Sequence, residues 1–116
     1  MVRRPADMKT EVRNEMRGGK GAVTIQHYLN KEDFKAPVRL CSKLLLPPGA
    51  SIGTHPHEKE DEVFIVHRGQ GVVEEGAGRI PVKAGDVTLT GRGGAHSIAN
   101  TGTEEMEITA IIICYP

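Results

Sequence analysis

The chain has 116 residues and a mass of 12.6 kDa, and its 15 Lys plus Arg balance 15 Asp plus Glu, so the formal net charge is zero. That length holds one domain rather than two independent cores. Neutral charge and an aromatic content of 3% also exclude the concentrated basic surface and stacking platforms of a nucleic-acid binder. No apolar run approaches the roughly 18 residues of a membrane span. The polar start, MVRRPADMKTEVRNEMRGGKG, has no signal-type apolar stretch. A soluble, cytoplasmic protein with no nucleic-acid and no membrane partner is expected.

In chain order, residues 1–21 read as a polar N-terminal arm, charged, without apolar periodicity, and ending in Gly18, Gly19, Lys20 and Gly21. Those glycines lack the spacing of a phosphate loop. From residue 22 to 116 short runs alternate with turn residues. They are VTIQHYL from Val23, VRLCSKLLL closed by Pro47-Pro48-Gly49, EVFIVHR closed by Gly69, then GVVEE, RIPVKAG, DVTLT, HSIAN and EITAIIICY. Strands spaced about 8 to 12 residues apart by glycine-containing turns predict an all-β antiparallel sandwich or barrel. Cys41 and Cys114 are too few for a disulfide framework and read as buried thiols on strands.

Five histidines stand at positions 27, 55, 57, 67 and 96. His55 and His57 are two apart, so in an extended strand both imidazoles project from one face and reach one ion. A turn through Glu58 to Asp61 brings Glu62 back beside them, and His96 opens a strand after Gly91-Arg92-Gly93-Gly94. Three imidazoles and a carboxylate are a ligand set for a divalent transition metal. A solvated turn beside Glu-Lys-Glu-Asp explains the HxH pair equally well, and the histidines alone leave both readings open.

The surrounding residues favour the first. The chain resembles the cupin superfamily, in its single-domain form, whose first motif is G-x5-H-x-H-x3-4-E-x6-G and whose second is G-x5-P-x-G-x2-H-x3-N. Gly49, His55, His57, Glu62 and Gly69 meet the first motif; Gly85, Gly93, His96 and Asn100 meet the second, with Gly91 in place of its proline. The resemblance spans roughly residues 38 to 114 and leaves the arm outside. It implies a double-stranded β-helix, a jelly-roll-like barrel, holding one metal ion on His55, His57, Glu62 and His96. The ion's identity among iron, manganese, nickel, zinc and copper stays open. Loss of the proline predicts a looser turn before His96. Alternation sends Glu62, Phe64 and Val66 inward and His67 outward, and a structural or interface role is expected for His27. Phe64, Val66 and Ile98 are the expected pocket wall. Lys43 is the one nameable base. Asn100 is counted with the pocket, although its place ahead of Thr101-Gly102 favours a bond to local backbone.

The ligand set leaves coordination positions for a small oxygenated metabolite that chelates the metal. The balance favours a metal-dependent enzyme, dioxygenase-, decarboxylase- or isomerase-like, with its catalytic base unassigned; the alternative is a non-catalytic small-molecule or metal-binding, or sensing, module. The last strand, EITAIIICY, is apolar on both faces, and a second copy covering the outer one predicts a homodimer, with the arm reaching across.

Overall fold

A computed structural model describes all residues, 1–116. Its ten strands are β1 (Lys9–Asn14), β2 (Ala22–Leu29), β3 (Val38–Leu46), β4 (Ser51–Pro56), β5 (Glu60–Arg68), β6 (Gln70–Glu75), β7 (Gly78–Lys83), β8 (Val87–Thr90), β9 (Ala95–Asn100) and β10 (Met106–Cys114). Three single-turn helices, at Pro5–Asp7, Met16–Gly18 and Lys31–Asp33, complete the elements, and no helix is long and apolar enough to cross a membrane.

The strands form a six-stranded sheet in the order β1-β2-β3-β10-β5-β8 and a four-stranded sheet in the order β4-β9-β6-β7. Every pairing is antiparallel. This is the double-stranded β-helix that the motifs imply. Period-two alternation decides which side chains enter it. Leu44 and Leu46 of β3, Phe64 and Val66 of β5, and Ile108 and Ala110 of β10 come from one sheet, Ile52, Val73 and Ile98 from the other, all at most 2% exposed. They belong to a single apolar cluster of 14 residues. Burying each such side chain stabilises by about 1.5–3 kcal/mol against an exposed reference.

Residues 1–21 do not hang free. Residues Lys9–Asn14 pair with β2 as an edge strand, in the register Glu11↔Ile25 and Arg13↔Val23. All six residues of β1 are exposed, so it extends the sheet without joining the core. Paired residues share a face, and Val23 and Ile25 face inward; Glu11 and Arg13 therefore continue the inner face with charge where the core ends. Apolar periodicity cannot reveal such a strand, because it has none.

Cys41 and Cys114 are free thiols, half-buried rather than fully buried as expected. Burial pushes the Cys41 thiol above its ordinary value.

Candidate metal centre

Three strands bring the four residues of the motifs together. His55 lies on β4, opposite His96 of β9 in the register, and His57 follows the end of β4; Glu62 is on β5 in the other sheet. All four are buried, between 0% and 7% exposed. Their ligand atoms lie within 4.8 Å of one another. His96 Nε2 is 2.9 Å from His57 Nε2 and 3.2 Å from His55 Nε2. Glu62 Oε1 is 2.8 Å from Nε2 of both His57 and His96, and 3.7 Å from that of His55.

The outer nitrogens explain why the inner ones converge. His55 Nδ1 donates to the carbonyl of Gly53 at 2.7 Å. His57 Nδ1 donates to Glu60 Oε1 at 2.8 Å, and Glu60 is held in turn by Nε and Nη2 of Arg39 at 3.0 and 2.8 Å. Thr90 donates its hydroxyl proton to Glu75 at 2.6 Å and so accepts from His96 Nδ1 at 2.9 Å. With each Nδ1 carrying a proton, each neutral ring presents a bare lone pair at Nε2. Lone pairs and a carboxylate oxygen 2.8–3.2 Å apart, with no proton between them, repel. A cation at their centre offsets that repulsion. Ligands at right angles with bonds of about 2.1 Å stand about 3 Å apart, so the donors fit a divalent transition metal in type and spacing.

Burial alone would raise the Glu62 carboxyl, but the neighbouring rings of His55, His96 and His57 outweigh it and hold it down at about 2. Glu60 is likewise lowered, first by its hydrogen bond from Arg39 and against burial.

Of the other expected site residues, Phe64 alone lines the adjoining cavity, and its ring stacks on His96 with centroids 4.8 Å apart and planes 9° from parallel. Val66 and Ile98 are buried in the core but not in the cavity wall. Lys43 stands on the outer face of β3, in register with Thr109 and Gln26, and is no base for this site. Asn100 also lies outside the cavity. Its Nδ2 donates to the carbonyls of Leu46 and Glu104, both at 2.8 Å, and its Oδ1 accepts from the Gly102 amide at 2.9 Å. His27, on Ser42 Oγ at 2.8 Å, and His67, on Thr109 Oγ1 at 2.7 Å, are apart from the cluster.

The turn that lacks the motif proline is tied rather than loose. His57 and the turn exchange backbone bonds, His57 N to Gly94 O at 2.9 Å and Gly93 N to His57 O at 3.1 Å. The Arg92 amide donates to Tyr115 Oη at 2.9 Å, and Tyr115 donates to Asp61 Oδ1 at 2.5 Å. A Cβ on residue 91 would overlap the Asp61 carboxylate, which is why glycine suits this position.

The cavity holds about 80 Å³ and is walled partly by the N-terminal segment, through Arg13, Met16 and Arg17. Arg39 joins them, with Ile52, Phe64 and Ile112 among the apolar residues. Sequence reasoning missed Arg13, Arg17, Thr90, Glu75 and Glu60. The i, i+3 spacing of His57 and Glu60 was the one available signal for any of them.

A cupin domain model matches residues 42–112, and the chain belongs to the cupin family. It is 43% identical over 113 residues to an oxalate-binding protein of Thermotoga maritima, covering 97% of this chain and 93% of that protein. A crystal structure from Thermotoga maritima, described as a predicted oxalate decarboxylase, superposes with a TM-score of 0.93 at 43% identity, over 98% of this chain and 99% of that one. The polyketide cyclase RemF of Streptomyces resistomycificus shares the fold, with a TM-score of 0.78 at 17% identity, over 100% of this chain and 81% of that one.

Proposed function

We propose that the protein binds one divalent transition-metal ion on His55, His57, Glu62 and His96, and on it a small dicarboxylate of the oxalate class. The observation that carries this reading is the meeting of an anion-friendly cavity with a three-histidine, one-carboxylate donor set. Arg13, Arg17 and Arg39 line the same cavity as His55, His57 and Glu62. When bound, a divalent ion supplies Lewis acidity to oxygen donors. The residues do the rest. Gly53, Glu60 and Thr90 hold the three rings in one tautomer, and Phe64 braces His96. The oxalate-binding name of the relative at 43% identity supports the ligand class.

No lysine, and no carboxylate besides Glu62, lines the cavity, so a reaction needing a separate protein base, such as isomerisation, is disfavoured. Binding is the function the geometry supports best; decarboxylation or oxidation of the bound acid would show as turnover in the same test.

That test is elemental analysis after loading with manganese, iron, nickel, zinc or copper, then calorimetric titration with oxalate and assays for carbon dioxide, formate and oxygen uptake. One ion per chain and saturable oxalate binding are expected. Full metal occupancy in the double variant His55→Ala, His96→Ala would overturn the ligand assignment.

We propose a homodimer as well. Across the outer face of the larger sheet the register aligns Cys41, Ile111, Val63 and Leu89 in one lateral row, and Val87 and Leu89 are 63% and 65% exposed. A second copy laid on that row removes it from water. Sedimentation at micromolar concentration is expected to give twice the chain mass; a monomer would refute it. The two free thiols suit a reducing compartment and support a cytoplasmic location.

A further inference from the structure

The three arginines at the cavity differ in what they hold. Arg39 is engaged at both oxygens of Glu60, at 2.8 and 3.0 Å. Arg13 Nη2 lies 2.8 Å from Glu11 Oε1. Arg17 has no carboxylate partner within ion-pair distance and its guanidinium makes no hydrogen bond to the protein, although it lines the cavity with His55, His57 and Glu62. It is the one uncompensated cation in that wall.

The backbone shows why it sits there. Glu15 (φ 50, ψ 45) and Arg17 (φ 55, ψ 30) both occupy the left-handed region, which side-chain-bearing residues rarely adopt. Such conformations persist where the surroundings over-determine them, and they concentrate at functional sites. Here the turn is closed by Glu15 N to Gly21 O at 3.0 Å, Gly18 N to Glu15 O at 2.9 Å and Gly19 N to Met16 O at 2.9 Å. It lies directly against β4. A Cβ on residue 53 would overlap the carbonyl oxygen of Arg17, and a Cβ on residue 19 that of Ser51, so two side-chain-free residues permit the contact. The Gly53 carbonyl also accepts the Nδ1 proton of His55. One residue therefore fixes both the backbone that carries Arg17 and the ring of a metal-site histidine.

We infer that Arg17 is the specificity-determining residue for the negative charge of the ligand, taking the carboxylate oxygens that the His55, His57, Glu62 and His96 centre leaves free, so that the site selects small dianions over neutral molecules of the same shape. This rests on the dicarboxylate reading above. A guanidinium fork matches a carboxylate in two parallel hydrogen bonds, and the exposed Arg17 side chain is free to make them. Glycine would occupy residue 17 with less strain, so what arginine adds there is its side chain.

The test is calorimetry of the metal-loaded protein with oxalate, the monoanion oxamate and neutral oxamide. Arg17→Gln is expected to weaken oxalate by about tenfold or more, oxamate less, and oxamide little, with metal content unchanged. Arg17→Lys should recover part of the loss, since it restores charge without the fork, and Arg13→Gln should cost less than Arg17→Gln. Arg17→Gly separates recognition from folding: its thermal midpoint should rise while oxalate affinity falls as in Arg17→Gln. Salt should weaken oxalate binding more steeply in the wild type than in Arg17→Gln. Oxalate affinity within twofold of wild type in Arg17→Gln, or equal losses for oxalate and oxamide, overturns this inference and leaves the dicarboxylate reading standing. A fully metal-loaded wild type that gives no heat with oxalate overturns both.

Discussion

Thr90 sets the orientation of His96. Its hydroxyl is committed as a donor to Glu75 and so must accept the Nδ1 proton of His96, which leaves Nε2 of that ring as a lone pair facing His55, His57 and Glu62.

Replacing Thr90 by valine keeps the shape but leaves the His96 Nδ1 proton without its partner in a buried place. Metal affinity should fall by about ten- to a hundredfold, with the fold intact. Thr90→Ser, which keeps the hydroxyl, should stay close to wild type. Competition against a chromophoric chelator measures both, and equal affinity in all three proteins would remove Thr90 from the site's support.

Asn100 stands on the face of His96 and Ile98, yet it closes the connection from β9 to β10 by bonding Leu46, Glu104 and Gly102. Asn100→Ala should destabilise by about 3 kcal/mol, at roughly 1 kcal/mol for each lost bond. Metal stoichiometry should not change. A denaturant titration alongside elemental analysis checks this, and lost metal in a folded variant would return Asn100 to the pocket.

How much of this was legible in the sequence depends on what each residue's role requires. The four donors were legible through the two cupin motifs they occupy, because the spacing of the histidines alone suited a solvated turn equally well. The inward face of β5 was legible because Glu62, Phe64 and Val66 alternate with Val63, Ile65 and His67 facing the other way. The edge strand β1 was not, because all six of its residues are exposed and it is held only by backbone pairing to β2. Thr90 and Glu75 were hidden for another reason. They are 15 residues apart and meet through the packing of two sheets, which no local spacing encodes. Lys43 shows the limit of parity: in VRLCSKLLL apolar residues fall on both faces, and only the pairing with Thr109 and Gln26 places it outside.

Gly53→Ala should disturb two regions together. Its methyl would overlap the Arg17 carbonyl, backbone against backbone, so no side chain can swing away. A loss of about 2 kcal/mol or more is expected. The urea midpoint measures it, and a value near wild type would show that the turn is not clamped by β4.

Tyr115 provides a pH test. The hydrogen bond it donates to Asp61 raises its phenol above the ordinary value of 10.0, against the opposing bond from the Arg92 amide. A raised folded value means that folding favours the protonated form. The contribution is therefore complete below the unfolded value and is lost as pH rises through the folded one. In a Tyr28→Phe background, which leaves one tyrosine, ultraviolet absorbance should show phenolate forming above pH 10.0. Adding Asp61→Asn should bring that midpoint down.

The doorway and the metal seat are made by separate stretches of chain. His55, His57, Glu62 and His96 lie within residues 42–112, the stretch that matches the cupin model, whereas Arg13, Met16 and Arg17 come from a leading segment attached at one sheet edge. Met16 of that segment packs against the core and Gly19 lies tight against Ser51, but Arg13 and Arg17 are exposed, so their side chains can vary without unfolding the barrel. On the proposal that Arg17 reads the ligand's charge, grafting a different leading segment onto residues 22–116 would change the guest while His55, His57, Glu62 and His96 stay in place.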